Sequence, residues 1–104
     1  MAEDKPFGYL ARFAAKPGER DALLGILLEA TEALRSDPEC VLYLLGTRED
    51  DPDSVWSSEI WASQAAHDTA LRSESARAAI ARARPLIVGV EPLASFMMAG
   101  GKSG

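Results

Sequence analysis

The sequence predicts an α+β fold, a four-stranded antiparallel sheet with helices on one face. Three observations carry that expectation: period-2 alternation from Phe7 to Ala15, a helical apolar stripe between Gly18 and Ser36, and two strand-like runs joined by a polar turn between Cys40 and Ala62.

In the first segment, Phe7, Tyr9, Ala11 and Phe13 alternate with Gly8, Leu10, Arg12 and Ala14, which reads as a strand, and Lys16-Pro17-Gly18 stops it. From Gly18 to about Ser36, Leu23, Leu27, Ala30 and Leu34 recur on one helical face. Glu19 and Asp21 suit its first turn, Arg35 its last, and Asp37-Pro38 prevents continuation. Cys40 to Arg48 is apolar at odd and even positions alike, as in a strand covered on both faces. Glu49 to Asp53 is a polar turn, and Ser54 to Ala62 completes a hairpin. Period-2 geometry puts Val55, Ser57, Glu59 and Trp61 on one face of that strand and Trp56, Ser58 and Ile60 on the other. Ser63 caps a short helix through about Leu71. After a break at Arg72-Ser73-Glu74-Ser75, a second runs to Arg84-Pro85. Leu86 to Met98 supplies the last strand, interrupted at Glu91-Pro92. The order βαββ(αα)β is that of a ferredoxin-like domain. A doubly apolar second strand in so short a chain points to another subunit's sheet as the second cover, hence to a homodimer.

The chain has 104 residues, 47% hydrophobic and 26% charged, which fits one globular domain spanning 1–104, with a core over about 7–98 and a flexible tail over 99–104. Sixteen acidic against eleven basic residues leave a net charge of −5, which disfavours nucleic acid and anionic membrane surfaces as partners. Apolar runs such as Leu86 to Val90 are too short to span a bilayer, and Met1 to Pro6 lacks the layout of a secretory signal, so a cytoplasmic location is expected. Cys40 and His67 are single, and no glycine-rich dinucleotide fingerprint occurs. No metal and no cofactor are therefore expected.

Several motifs together resemble the antibiotic biosynthesis monooxygenase family. They are Pro17-Gly18, Asp37-Pro38-Glu39-Cys40-Val41-Leu42-Tyr43, Asp51-Pro52, and above all the E-x-W-x-S-x-x-A block in Glu59-Ile60-Trp61-Ala62-Ser63-Gln64-Ala65-Ala66-His67. The resemblance runs from about Phe7 to Lys102, and Gly100-Gly101-Lys102 is similar to the quinol-monooxygenase-like branch. It implies a dimeric α+β barrel with a pocket between sheet and helices. It also implies oxidation of a small phenol or quinol by O2 without flavin, haem or metal. Other proteins on this fold degrade haem or isomerise small metabolites, and a member that kept the pocket but lost the chemistry would be a binding or sensor module. Two departures stand out: Ser57 occupies a position where family oxygenases often carry asparagine, and Ala70 lies where a second histidine is common. A histidine pair is thereby excluded.

Trp61 shares a strand face with Ser57 and Glu59, so an indole, a hydroxyl and a carboxylate can line one cavity. His67 falls early in the following helix, where it can overhang that cavity as a proton acceptor. These two are the expected catalytic residues. Ser57, Glu59, Tyr43 and Arg12 are expected to bind substrate, with Arg12 also pairing Glu59 from the first strand. Cys40 as a nucleophile would need His67 nearby, and reads instead as a small hydrophobe.

Overall fold

A computed structural model describes residues 5–102. Its elements are β1 (Phe7–Ala15), α1 (Arg20–Leu34), β2 (Cys40–Arg48), β3 (Asp51–Trp61), α2 (Gln64–Leu71), α3 (Glu74–Ala83), a single 3-10 turn (Arg84–Leu86) and β4 (Ile87–Met97). One antiparallel four-stranded sheet has the order β2-β3-β1-β4, the ferredoxin-like arrangement the sequence predicts. No helix among the described residues is long and apolar enough to cross a membrane.

Local chemistry sets the joints. Gly18 turns the chain into α1 at φ 80°, a left-handed conformation that glycine adopts without strain, and its N–H donates to Asp53 Oδ1 at 3.0 Å. Ser63 Oγ accepts from the Ala66 N–H at 3.0 Å, and Ser73 Oγ from the Ala76 N–H at 3.2 Å, so each of the two short helices opens on a serine cap. Gly8 leaves room for the Phe96 ring: a Cβ there would stand 2.8 Å from it.

Three boundaries differ from expectation. β3 starts at Asp51 rather than Ser54, because the hairpin closes over Glu49 and Asp50 alone and Arg48 already pairs with Asp51. The helical break shrinks to Arg72 and Ser73, since Ser73 caps α3 directly. β4 runs unbroken through Glu91-Pro92. The chain absorbs the proline with a register shift beside Leu93, on an edge strand where a missing N–H costs least.

All three helices cover one face of the sheet. Ala15, Leu23, Val55 and Ala83 form a buried cluster there, backed by Phe13, Leu24, Leu27 and Ile87. Toward the Tyr9 and Glu59 positions the same face opens into a cavity. Among the described residues none covers the opposite face. Leu44 is 59% exposed and Phe96 46%, and both lie in register with outward residues of the central strands. Within one chain β2 is covered on the helix side alone.

Candidate active site

The cavity has a volume of about 380 Å³ and lies between the sheet and the helices. Its sheet wall carries Tyr9, Ala11 and Phe13 from β1, Tyr43 from β2, and Glu59 and Trp61 from β3. Leu27, Ala30 and Leu34 of α1 face Ala76, Ala79 and Ile80 of α3 across it. Alanines at so many helix positions leave space where larger side chains would have closed the core.

Antiparallel pairing sets Tyr9, Glu59 and Tyr43 in one row across three strands. Glu59 is buried, and its carboxylate is held from below: Trp61 Nε1–H donates to Oε1 at 2.9 Å and Ser57 Oγ–H to Oε2 at 3.4 Å. Burial raises the Glu59 pKa above the ordinary carboxylate value, against the opposing pull of the Trp61 hydrogen bond, His67 and Ser57. Burial also lifts the Tyr43 and Tyr9 hydroxyls above their usual range, with Glu59 adding to both shifts. Both tyrosines stay neutral donors at physiological pH.

His67 is 7% exposed and projects from α2 into this row. Its ring centroid lies 4.9 Å from that of Tyr9, 5.4 Å from that of Phe7 and 5.9 Å, edge-on, from that of Trp61. Nδ1 is 3.1 Å from Asp68 Oδ1, and a carboxylate can only accept, so Nδ1 carries the proton and donates it. In the neutral ring Nε2 is then the acceptor nitrogen, and it lies 3.8 Å from Glu59 Oε1. This orientation of an imidazole by a carboxylate leaves a proton acceptor beside a cavity lined mainly by apolar side chains.

The structure therefore brings together His67, Trp61, Glu59 and Tyr43 of the residues singled out by sequence. Two are placed elsewhere. Ser57 does not line the cavity, because its short side chain is occupied beneath Glu59. Arg12 lies on the outer face in register with Trp56. Its Nε–H donates to Asp51 Oδ2 at 2.9 Å, and Nη1 is 3.7 Å from Glu91. The expected Arg12–Glu59 pair fails on strand parity: Tyr9 is the residue opposite Glu59. Tyr9 and Asp68 were not singled out by the sequence. The alternation of β1 held the signal for Tyr9, whereas for Asp68 only its place beside His67 did. Cys40 stays a thiol, its pKa raised first by burial and further by Asp37 and Glu59.

Residues 6–82 match the family model described as antibiotic biosynthesis monooxygenase. The chain belongs to the antibiotic biosynthesis monooxygenase family. A protein from Chloroflexus aurantiacus that bears the family's name is 35% identical, with a TM-score of 0.83 over 94% of this chain and 97% of that one. A structure from Mycobacterium tuberculosis is similar at 24% identity and TM-score 0.75, covering 94% of this chain and 97% of its own. One from Caulobacter crescentus, also named for the family, stands at 18% identity and TM-score 0.82, with 93% and 92% covered. These last two share the fold. No curated protein matches the chain.

Proposed function

We propose that the cavity is the active site of a monooxygenase that uses O2 to oxidise a small phenol or quinol without a bound cofactor. What carries the reading is the His67 imidazole. Asp68 orients it so that Nε2 faces an apolar cavity, beside a buried carboxylate and the Trp61 indole. His67 takes the substrate's hydroxyl proton, which raises the electron density of the ring until it can pass one electron to O2. The resulting radical and superoxide join through a new carbon–oxygen bond, and the peroxide so formed takes the proton back from His67 to give a ring hydroperoxide. Cleavage of its O–O bond with loss of the ring C–H proton releases water and leaves a quinone. The walls keep the radical pair together and exclude water.

Oxygen uptake measured with a panel of hydroquinones and phenols tests this, with quinone formation followed spectroscopically. Uptake matched one to one by quinone is expected. If no member of the panel is consumed, the second reading, a small-molecule-binding or sensor module, replaces it. That reading is favoured by Ser57, which stands where family oxygenases often carry an amide and whose hydroxyl is held beneath Glu59. For the uncovered outer face we infer a second copy of the chain, since Leu44 and Phe96 would otherwise stay in water.

A further inference from the structure

The ionisable groups around the cavity are strongly one-sided in charge. Glu59 lies on the sheet wall, His67 reaches in from α2, and Asp68 backs His67 from the solvent side. Among the described residues no lysine or arginine lines the walls, and Arg12 is turned to the other face of the sheet. His67 brings at most one positive charge, and Glu59 lies 3.8 Å from its Nε2. Tyr9, Tyr43 and, nearby, Cys40 add no positive charge in either protonation state.

From this placement we propose that the cavity selects uncharged hydroxylated aromatics and rejects carboxylated ones, with Glu59 as the residue that sets the selection. The inference rests on the reading of the cavity as the substrate site. A ligand carboxylate entering it gives up its hydration, finds no cation and meets a like charge. A neutral hydroxyl meets acceptors instead: His67 Nε2 and the lone pairs of Glu59 that Trp61 and Ser57 leave free. Aromatic and apolar side chains receive the ring. An ammonium group is attracted to Glu59 but gives up far more hydration than a hydroxyl on entering a cavity lined mainly by apolar side chains.

Anaerobic titration calorimetry tests the proposal without turnover. The probes are a naphthol, a hydroxynaphthoic acid, the methyl ester of that acid and an aminomethyl naphthol, at a pH where the acid is ionised and the amine protonated. The naphthol and the ester should bind, and the acid should bind at least about tenfold more weakly than the ester, which matches it in size. In Glu59→Gln the acid should gain until the gap is about threefold or less, while Asp68→Asn should keep most of the gap. Circular dichroism checks that both variants are folded. An acid that binds the wild type as tightly as its ester overturns the proposal, with no variant needed. So does an aminomethyl compound that outbinds the naphthol, a gap that survives in folded Glu59→Gln, a gap that closes in Asp68→Asn, or no binding by any probe. The two readings fail separately: a Glu59-dependent gap in a protein that oxidises no quinol removes the monooxygenase and leaves the selection. Quinol oxidation without a gap does the reverse.

Discussion

Strand β3 carries two tryptophans an odd number of residues apart, and the two faces of the sheet treat them differently. On the outer face Trp56 lies between cations, with the Arg48 and Arg12 guanidinium carbons 5.3 and 5.9 Å from its ring centroid. Each arginine also meets an aspartate, Arg12 with Asp51 at 2.9 Å and Arg48 with Asp50 at 2.7 Å. On the helix-covered face Trp61 is 2% exposed and gives its N–H to a carboxylate whose neighbouring ionisable group is the His67 imidazole, with Nε2 at 3.8 Å. On the first face the Arg48–Asp50 pair is exposed and the Arg12–Asp51 pair half-buried, and ion pairs that reach the surface of a chain are worth little. The charge on the second face is buried and costly, which supports the cavity as the proposed site.

The sharpest test of this contrast removes the proton acceptor. His67→Ala should lower oxygen uptake by roughly 10²- to 10⁴-fold, and by less at high pH, where the substrate ionises unaided. Trp61→Phe should be milder than Trp61→Ala, which also opens a hole in the cavity floor. Uptake against pH for the three variants measures this, and wild-type turnover in His67→Ala would take His67 out of the mechanism.

Next in size is the state of the outer face. Light scattering at micromolar concentration should report twice the mass of one chain, and a clean monomer would mean that the sheet is covered by something other than a second copy.

A smaller effect comes from Glu59 itself. Because burial raises its pKa, folded Glu59 keeps its proton at pH values where the unfolded chain has lost it. Its contribution to stability therefore falls as pH climbs from the ordinary carboxylate range through the raised value. Glu59→Gln should melt a few degrees higher than wild type at neutral pH, with the advantage vanishing on acidification. Calorimetric melting temperatures across that range decide it. A less stable variant at neutral pH would show that the hydrogen bonds from Trp61 and Ser57 outweigh burial.

The smallest effect is expected on the outer face. Arg12→Ala should shift the melting temperature by about a degree and leave oxygen uptake unchanged. Lost uptake in a folded Arg12→Ala protein would break the contrast between the two faces.

Much of the site was legible because strand geometry is local. Alternation alone placed Val55, Ser57, Glu59 and Trp61 on the buried face, and Ser58 is exposed as that pattern requires. Arg12 shows how legibility fails. Its parity was visible in the same kind of alternation, but a buried carboxylate invited a cationic partner, and the structure keeps Glu59 with hydrogen-bond donors instead. Tyr9 became a neighbour of Glu59 only through the register between β1 and β3, which no single strand encodes.

By itself the sequence determined what depends on near neighbours: the order of elements, the serine cap of α2, and the faces of β3. Such features follow from backbone sterics and hydrogen bonds that close within a few residues. The tertiary structure alone decided that the His67 ring packs against Phe7, Tyr9 and Trp61 with Nε2 toward Glu59, and that a cavity of about 380 Å³ remains between the alanines of α1 and α3 and the sheet. An empty volume is the residue of how whole elements pack against one another, and no local pattern records it.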